Sequence, residues 1–322
     1  MNIFVTRKIP HSGIKLLEKE HSVAVSSKDR VLSQEEIIDQ AKEADGLLCL
    51  LTDTIDKDVI SSLPNLKMIA NYAVGVNNVD VEMATQKKIP VSNTPGVLTD
   101  TTAELAWALV FSVARRIVES DSFCRKGKFA GWGPMLMLGQ DISKKTLGII
   151  GAGRIGSAMA LKSKGFDINV LYVNPEHNSV LESELDAQKT DLSTLLSKSD
   201  IVSLHVPLTD ETYHLIGEKE LESMKENAIL VNTSRGPVVD ENALIKALEN
   251  NQIFGAGLDV YEKEPTIPKG LKKLDNVIIL PHIGSATKDT RSKMAEMAAE
   301  NMLQGLNGEK PSNCVNPEIF EG

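Results

Sequence analysis

The residues of this sequence that could do chemistry include an arginine, a glutamate and a histidine that each follow a predicted strand. They are Arg235, Glu264 and His282. In an open parallel sheet, ligands bind outside the carboxyl ends of the strands, so these side chains are expected to meet over one crevice. A glycine-rich surface turn would account for any one of them alone. Three at equivalent strand ends, with complementary chemistry, favour a catalytic site.

The three side chains suit hydride transfer to a 2-oxo acid, coupled to proton transfer. The guanidinium of Arg235 can hold the adjacent carboxylate and ketone of such a substrate with fixed donors. The ketone oxygen must gain a proton as hydride reaches its carbon, and histidine is the natural donor near neutral pH. The Glu264 carboxylate would orient the His282 ring and favour its charged form.

A glycine-rich turn is the expected site of the hydride carrier. Gly151, Gly153 and Gly156 follow an apolar run over 147–150 and precede a predicted helix over 157–164. In a dinucleotide-binding turn, the first glycine permits the tight turn, the second lets the backbone approach a pyrophosphate, and the third packs helix against strand. Free N–H groups at the helix start then hold the anion. Glycines also gather in ordinary turns, but the flanking strand and helix favour a dinucleotide site.

The residue expected to meet the adenosine ribose is Asn174, at the end of the next predicted strand. An acidic residue usually occupies this position and hydrogen-bonds the ribose 2′-hydroxyl. Asn174 can bond a hydroxyl but lacks the charge that repels a 2′-phosphate. No arginine follows to bind that phosphate, although His177 could contribute. The sequence therefore favours NAD(H) slightly and leaves NADP(H) open.

Composition argues against several other classes of function. The 322 residues carry a net charge of -9, which gives no basic excess for binding nucleic acid. Cys49, Cys124 and Cys314 lack metal-ligand spacing, so no metal site is predicted, and a reducing compartment is favoured. No apolar run approaches the ~20 residues of a membrane span, and the N-terminus does not resemble a secretion signal. We expect a cytoplasmic protein without a membrane partner.

Two series of alternating strands and helices would position the candidate residues. The length predicts two domains, and the alternation predicts parallel sheets in an α/β fold. The first series lies before residue 100, and a helix over 288–306 is expected to pack back on it. The second series begins at Thr146 and matches two mononucleotide-binding halves. Its six strands are predicted over 147–151, 168–173, 200–206, 228–233, 255–260 and 276–281.

A long helix predicted over 100–121 separates the two series. Its residues are apolar on almost every face, so we expect it to be buried between domains or against another subunit. The sequence therefore predicts a homodimer that uses this helix. The stretch over 127–138, which contains Trp132, is predicted to be an exposed connection.

The sequence resembles the D-isomer-specific 2-hydroxyacid dehydrogenase family along nearly its whole length. The motifs that carry the resemblance are Gly151-Ala-Gly-Arg-Ile-Gly156, Asn232-Thr-Ser-Arg-Gly236, Gly257-Leu-Asp-Val260, Glu264-Pro265 and Pro281-His282. The resemblance implies a Rossmann-type dinucleotide-binding domain over 100–286. It would be inserted into a flavodoxin-like substrate domain formed by residues 1–99 and 287–322.

The resemblance also implies roles for single residues. Arg235 would bind the substrate and polarise its ketone. Glu264 would orient His282, which would be the acid/base. The segment over 73–76 is similar to a loop whose backbone N–H groups receive the substrate carboxylate, which assigns this role to Val74 and Gly75.

The expected cofactor site extends beyond the glycine turn. The resemblance implies that Asp259 meets the nicotinamide carboxamide. His205 is assigned no catalytic role, but the strand that ends near it can line the cofactor site. The full set of predicted cofactor contacts is Thr102, Gly151, Gly153, Arg154, Ile155, Gly156, Asn174, Val206, Pro207, Thr233 and Asp259.

Within the family, the stretches over 93–102, 131–132 and 138–139 are most similar to glyoxylate/hydroxypyruvate reductases. In some of those enzymes a tryptophan of the partner subunit borders the substrate pocket, which makes Trp132 the candidate here. Leu51 occupies a position that would limit substrate size. These reductases often carry an arginine near the position of Asn174 and prefer NADPH, so Asn174 departs from their pattern. The resemblance implies NAD(P)H-dependent reduction of glyoxylate or hydroxypyruvate.

Two other hypotheses stay open. One is a 3-phosphoglycerate or D-lactate dehydrogenase. The sequence ends at Gly322, without the regulatory domain of many phosphoglycerate dehydrogenases, so we expect a 3-phosphoglycerate dehydrogenase less. The other is an NAD(H)-sensing binding protein, because transcriptional corepressors also resemble this family. The lack of basic regions favours an enzyme that acts on small 2-oxo acids.

Overall fold

The computed structural model describes residues 1–321, which divide into two compact units. The first unit contains Met1–Leu98 and the chain from Ser285 onward, and the second contains Thr99–Gly284. The strands of both sheets pair in parallel, which confirms the predicted α/β class. None of the helices described in residues 1–321 is long and apolar enough to span a membrane.

Five parallel strands form the sheet of the first unit: β1 (Asn2–Val5), β2 (Ser22–Val25), β3 (Gly46–Leu50), β4 (Met68–Tyr72) and β5 (Val91–Ser92). Their order across the sheet is β2-β1-β3-β4-β5, the order of flavodoxin-like folds. The helices of this unit are α1 (His11–Leu17), α2 (Gln34–Ala41), α3 (Lys57–Ser62), α4 (Val81–Gln86) and, from the C-terminal segment, α12 (Lys288–Leu306). A 3₁₀ turn covers Pro317–Phe320.

Apolar residues on both faces of this sheet create two cores. Along β3, Leu47 belongs to one core and Leu48 to the other, because successive side chains of a strand point to opposite faces. Helix α12 covers the second core and lies close to α1. A Cβ on Gly13 would be only 2.5 Å from the carbonyl oxygen of Ala295. The C-terminal helix thus packs on the first series of strands, as predicted.

Seven parallel strands form the sheet of the second unit: β6 (Thr146–Ile150), β7 (Asn169–Val173), β8 (Gln188–Lys189), β9 (Ile201–Leu204), β10 (Ile229–Asn232), β11 (Gly255–Leu258) and β12 (Val277–Ile279). Their order is β12-β11-β10-β9-β6-β7-β8. All six predicted strands are present. The edge strand β8 was not predicted, because two polar residues give no apolar pattern.

The helices of the second unit are α5 (Thr99–Ala114), α6 (Ile117–Arg125), α7 (Arg154–Leu161), α8 (Ser179–Leu185), α9 (Leu192–Lys198), α10 (Glu218–Ser223) and α11 (Glu241–Glu249). Shorter 3₁₀ turns cover Lys162–Phe166, Gly236–Val238 and Leu271–Lys273. Helices and strands alternate, as two mononucleotide-binding halves require.

The single helix predicted over 100–121 is wrong in its extent. The chain breaks it at Arg116, whose φ of +51° is left-handed, so α5 and α6 are separate. The apolar α5 is also buried inside its own unit. A Cβ on Gly257 would lie 2.8 Å from Cβ of Leu109, and one on Gly255 would lie 2.8 Å from Val113 Cγ1. Glycines of the sheet let α5 pack closely on it, and the homodimer predicted to use this helix stays a prediction.

Candidate active site

The turn between β6 and α7 forms an open cradle. Gly151 has a φ of +93°, in the left-handed region that favours glycine. A Cβ on Gly156 would lie 2.2 Å from the Gly151 carbonyl oxygen, so α7 approaches the turn closely. A Cβ on Gly153, in contrast, would meet no atom within 4 Å. The glycines therefore leave free space before the first N–H groups of α7, which no side chain caps.

This cradle lies where the strand order reverses, between β6 and β9. Open α/β sheets bind ligands at this point. A Cβ on Gly151 would lie 2.9 Å from Cγ1 of Val206, so the chain after β9 lines the turn, with Pro207 exposed beyond it. After β10, the Thr233 hydroxyl is buried and has no hydrogen-bond partner within residues 1–321. Free space, an uncapped helix start and an unpaired buried hydroxyl fit a bound dinucleotide.

Asn178 supports the cradle and was missed by the sequence reasoning. Its amide nitrogen donates to the Ala152 carbonyl oxygen at 2.9 Å and to the Ser157 hydroxyl at 2.8 Å. Its carbonyl oxygen accepts from the N–H of Leu181 and so caps α8. An asparagine directly before a helix was the available signal, but it predicts only the cap.

The His282 imidazole and the Glu264 carboxylate form the central contact of the candidate active site. Nδ1 of His282 lies 2.8 Å from Oε2 of Glu264, whose other oxygen accepts from the N–H of Tyr261 at 3.1 Å. Burial alone would raise the pKa of Glu264, but the hydrogen bond and the charge of His282 outweigh burial, so that pKa is lowered. Since Nδ1 is occupied, Nε2 is the ring nitrogen left for a substrate.

The backbone at His282 is strained, with a φ of +54°. Asp259 holds the turn: its two carboxylate oxygens accept from the N–H groups of Ile283 and Gly284, both at 2.7 Å. Burial raises the pKa of Asp259, although the Ile283 N–H works against it. The Thr102 hydroxyl donates to the Gly284 carbonyl oxygen at 3.1 Å. Asp259 and Thr102, both predicted cofactor contacts, thus support the turn that carries His282.

Arg235 lies half-buried on the turn after β10. Asn232, to which no role was assigned from the sequence, shapes this turn: its amide donates to the Arg235 carbonyl oxygen at 2.9 Å and accepts from the Ser234 N–H at 3.0 Å. The guanidinium donates to the Ser234 carbonyl oxygen at 2.7 Å and forms no salt bridge within the second unit. Burial lowers the pKa of Arg235, and the charge of Glu264 opposes that shift. Such a guanidinium is suited to bind an anionic substrate.

The predicted substrate-binding residues of the first unit lie on loops after β3 and β4. Leu51 follows β3 and is half-buried. The carbonyl oxygens of Val74 and Gly75 accept from the amides of Asn93 at 2.7 Å and Asn71 at 2.9 Å. Their N–H groups, in contrast, have no hydrogen-bond acceptor within the described chain. The loop after β4 therefore offers two backbone donors that could bind an anion.

Trp132 is 85% exposed and belongs to an apolar surface of the second unit. Helix α6, which precedes it, buries none of its own residues. We call this surface the exposed apolar segment; its large side chains are Ile117, Val118, Phe129, Trp132, Met135, Leu136 and Leu138. Several large apolar side chains exposed along one segment of chain favour an interaction site.

Together, the cradle at the strand switch point and the His282–Glu264 contact beyond β11 and β12 fit a dinucleotide-dependent oxidoreductase of the α/β class. The model of the D-isomer specific 2-hydroxyacid dehydrogenase family, NAD binding domain, matches residues 107–284. The chain belongs to this family, and it is an NAD(P)-dependent enzyme. Residues 1–321 contain no group of three or more His, Cys, Asp or Glu side chains placed to hold a metal ion.

Full-length relatives agree with this assignment. The chain is 50% identical to the glyoxylate reductase of Thermococcus litoralis, over 99% of this chain and 97% of that protein. A crystal structure of a Thermus thermophilus protein is 42% identical, with a TM-score of 0.92 and coverage of 98% and 100%. An NADPH-dependent glyoxylate/hydroxypyruvate reductase from Sinorhizobium meliloti, in complex with NADP and malonate, is 27% identical, with a TM-score of 0.87 and coverage of 98% and 97%.

His205 lies at the end of β9, beside the cradle. Its Nε2 is 2.9 Å from the Ser203 hydroxyl and 3.2 Å from the Met159 sulfur. Burial of the ring lowers the pKa of His205 to about 4. Because this pKa lies below that of an unfolded histidine, the unfolded chain binds more protons between pH 4 and pH 6.5. The neutral ring thus contributes stability that is fully present above that window and is lost as the pH falls through it.

We expect His205→Gln to weaken this acid sensitivity. Between pH 7 and pH 5, the free energy of unfolding of the wild type should fall by on the order of 1 kcal/mol more than that of the variant. Urea unfolding followed by tryptophan fluorescence at both pH values measures the difference, and His11→Gln, at an exposed histidine, is the matched control. An equal pH dependence in wild type and His205→Gln would contradict the assignment.

Proposed function

We propose that this protein reduces glyoxylate or hydroxypyruvate to the corresponding 2-hydroxy acid with a reduced nicotinamide cofactor. The observation that carries the proposal is the half-buried guanidinium of Arg235, which has no salt bridge in its unit and belongs to the same sheet edge as the Glu264–His282 pair. Relatives named glyoxylate reductase, 50% identical over nearly the full length, support a small 2-oxo acid as the substrate.

In the proposed mechanism, Arg235 binds the substrate through paired N–H donors and polarises its ketone. A reduced nicotinamide cofactor, when bound, would supply the hydride that the carbonyl carbon accepts. His282 donates a proton from Nε2 to the carbonyl oxygen, while Glu264 orients the ring and stabilises its charged form. The lowered pKa of Glu264 keeps this carboxylate ionised throughout.

Residues of the second unit would hold the cofactor. The N–H groups of Arg154 and Ile155, at the start of α7, would bind its pyrophosphate. The Thr233 hydroxyl, buried without a partner in the described chain, would gain one from the ligand. We assign the remaining contacts to Gly151, Gly153, Gly156, Asn174, Val206, Pro207, Asp259 and Thr102.

We assign a share of substrate binding to the first unit as well. The N–H groups of Val74 and Gly75 would receive the substrate carboxylate, which the absence of another acceptor for them in the described chain supports. Leu51 would restrict the size of the group attached to the ketone carbon.

Substitution of His282 tests the mechanism directly. We expect His282→Ala to lower kcat for glyoxylate reduction by about 10²- to 10⁴-fold, the usual effect of losing a general acid. The Kd for the dinucleotide should stay unchanged, because the imidazole acts on the substrate. Steady-state absorbance assays and calorimetric titration give the two quantities, with His11→Ala as the control. A loss of cofactor affinity that matches the loss of rate would refute the assigned role.

We further propose that NADH is preferred to NADPH. The loop over 174–178 contains no lysine or arginine, and Nδ1 of His177 lies 2.7 Å from the Glu182 carboxylate. The cation held against this loop is Lys189, whose Nζ donates to the Pro175 carbonyl oxygen at 2.6 Å. With that ammonium engaged by the backbone and His177 beside a carboxylate, the loop offers a 2′-phosphate no free cation of its own. The amide of Asn174 donates to the Glu176 carbonyl oxygen at 3.1 Å, which leaves its own oxygen to accept from a ribose hydroxyl.

Rate assays that combine each of the two cofactors with several 2-oxo acids test this preference. We expect kcat/KM of the wild type to be higher with NADH than with NADPH. Asn174→Arg should raise kcat/KM with NADPH by on the order of tenfold, which corresponds to about 1.4 kcal/mol. Asn174→Gln, which adds no charge, is the control. A wild-type preference for NADPH would overturn the proposal. Turnover of pyruvate or phosphohydroxypyruvate alone would show that the assigned substrate is wrong. Cofactor binding without any turnover would favour a dinucleotide sensor.

For the oligomeric state we propose a homodimer formed through the exposed apolar segment. Helix α6 buries none of its residues within one chain, and its apolar residues Ile117 and Val118 are 49% and 55% exposed. A two-fold axis would bring two copies of this surface together and remove it from water. Following the family resemblance, we assign the partner's Trp132 to the border of the substrate pocket.

Charges on this surface should break the dimer. Light scattering after gel filtration is expected to give twice the 35.0 kDa chain mass for the wild type and the chain mass for Ile117→Glu combined with Val118→Glu. Val180→Glu, which changes another exposed apolar residue of the second unit, should leave the dimer intact. A monomeric wild type would refute the proposal.

A further inference from the structure

Two glutamates beside the candidate active site hold each other's backbone. The N–H of Glu241 donates to Oε1 of Glu262 at 3.0 Å, and the N–H of Glu262 donates to Oε1 of Glu241 at 2.9 Å. Glu241 is the first residue of α11, whereas Glu262 lies on the loop after β11. The reciprocal bonds therefore join a helix start to the loop that contains Glu264.

This arrangement places two carboxylates together in a poorly solvated position. Glu241 is only 9% exposed; burial raises its pKa, and the charge of Glu262 adds to that rise. Two features offset the cost. The start of α11 carries partial positive charge. Asp240 accepts from the N–H groups of Asn242 and Ala243, which leaves the N–H of Glu241 free to donate to Glu262. The imidazole of His214 also lies 3.1 Å from Oε1 of Glu262.

The backbone of Tyr261 and Glu262 connects this pair to the candidate catalytic side chains. The peptide between the two residues packs against the turn of Arg235: a Cβ on Gly236 would lie 1.8 Å from the Tyr261 carbonyl carbon and 2.4 Å from the Glu262 nitrogen. The peptide before it carries the N–H of Tyr261, which donates to Oε1 of Glu264 at 3.1 Å. A shift of the backbone at Tyr261 would therefore act on both the Arg235 turn and Glu264.

We propose that Glu241 and Glu262 are positioning residues, a reciprocal clamp that holds Glu264 and the Arg235 turn in their reactive geometry. The clamp acts through the backbone of Tyr261 and Glu262 and touches neither substrate nor cofactor. The inference rests on the roles proposed above for Arg235, Glu264 and His282.

Paired substitutions separate the hydrogen bonds of the clamp from its charge. Glu262→Ala and Glu241→Ala each remove one acceptor, and we expect each to lower kcat for glyoxylate by roughly ten- to a hundredfold through misplacement of Glu264. Glu262→Gln and Glu241→Gln keep a carbonyl oxygen as acceptor and should recover most of that loss. Glu222→Ala, at an exposed glutamate of α10, is the matched control and should match the wild type.

Two readouts distinguish positioning from a purely structural role. In the alanine variants the alkaline limb of the pH profile of kcat/KM should move to lower pH, because a displaced Glu264 stabilises the charged His282 less. Hydrogen exchange should accelerate at the N–H of Glu262 in Glu241→Ala and at that of Glu241 in Glu262→Ala. The glutamine variants should show neither change.

Other outcomes overturn the clamp or separate it from the proposed function. Alanine variants that lose only thermal stability, with wild-type kcat and pH profile, would refute the clamp. If His282→Ala were inactive in the same experiment, the proposed function would still stand. Failure of the glutamine variants to recover activity would also refute it, since charge rather than backbone bonding would then matter. If His282→Ala instead kept full activity, the assigned catalytic roles would fail, and hydrogen exchange would still decide whether the glutamates hold the peptide.

Discussion

The contact between His282 and Glu264 depends on how firmly two neighbouring strand ends are held together. The loop after β11 and the turn after β12 each carry one partner, and neither lies within a regular element. Three side chains of the first loop reach across to the second. Asp259 binds the N–H groups after His282, the Tyr261 hydroxyl donates to the Leu280 carbonyl oxygen at 2.8 Å, and Glu264 bonds the imidazole itself. The 2.8 Å contact is therefore the outcome of a braced pair of loops.

Bracing by ionised groups has a cost that the fold must offset. Asp259 is only 1% exposed, and Glu264 keeps 27% of its side chain exposed. Removing a carboxylate from water is unfavourable unless hydrogen bonds replace its hydration. Each is instead surrounded by N–H donors: the backbone groups of Ile283 and Gly284 for Asp259, and Tyr261 and the His282 ring for Glu264. A hydrogen bond to a carboxylate is stronger in a low-dielectric site than in water. It stabilises the carboxylate only if the backbone already holds the N–H donor in position. Gly236 and Gly257 let the Arg235 turn and α5 pack closely against this part of the chain.

The sequence predicts the parts of this architecture that repeat along the chain. Buried strands, capped helices and the glycine turn each have a local pattern, so the strand ends that carry Arg235, Glu264 and His282 could be located from the residues alone. The break at Arg116 could not, because an arginine has no intrinsic preference for the left-handed region it occupies. Asn178 and Tyr261 were missed for a related reason. Their side chains act on residues distant in the chain, and only the packed structure brings the two together.

The turn that carries His282 is also the point where the chain leaves the second unit. Gly284 is the last residue of that unit, and Thr102 lies in the first turn of α5, just after the chain enters it. Within the second unit, the hydrogen bond from the Thr102 hydroxyl to the Gly284 carbonyl oxygen joins the segment where the chain enters the unit to the segment where it leaves. Asp259 binds the N–H of the same Gly284. The segments where the chain enters and leaves the second unit are therefore both bonded to Gly284, two residues after His282. A displacement of either segment must act on the backbone that sets the position of His282.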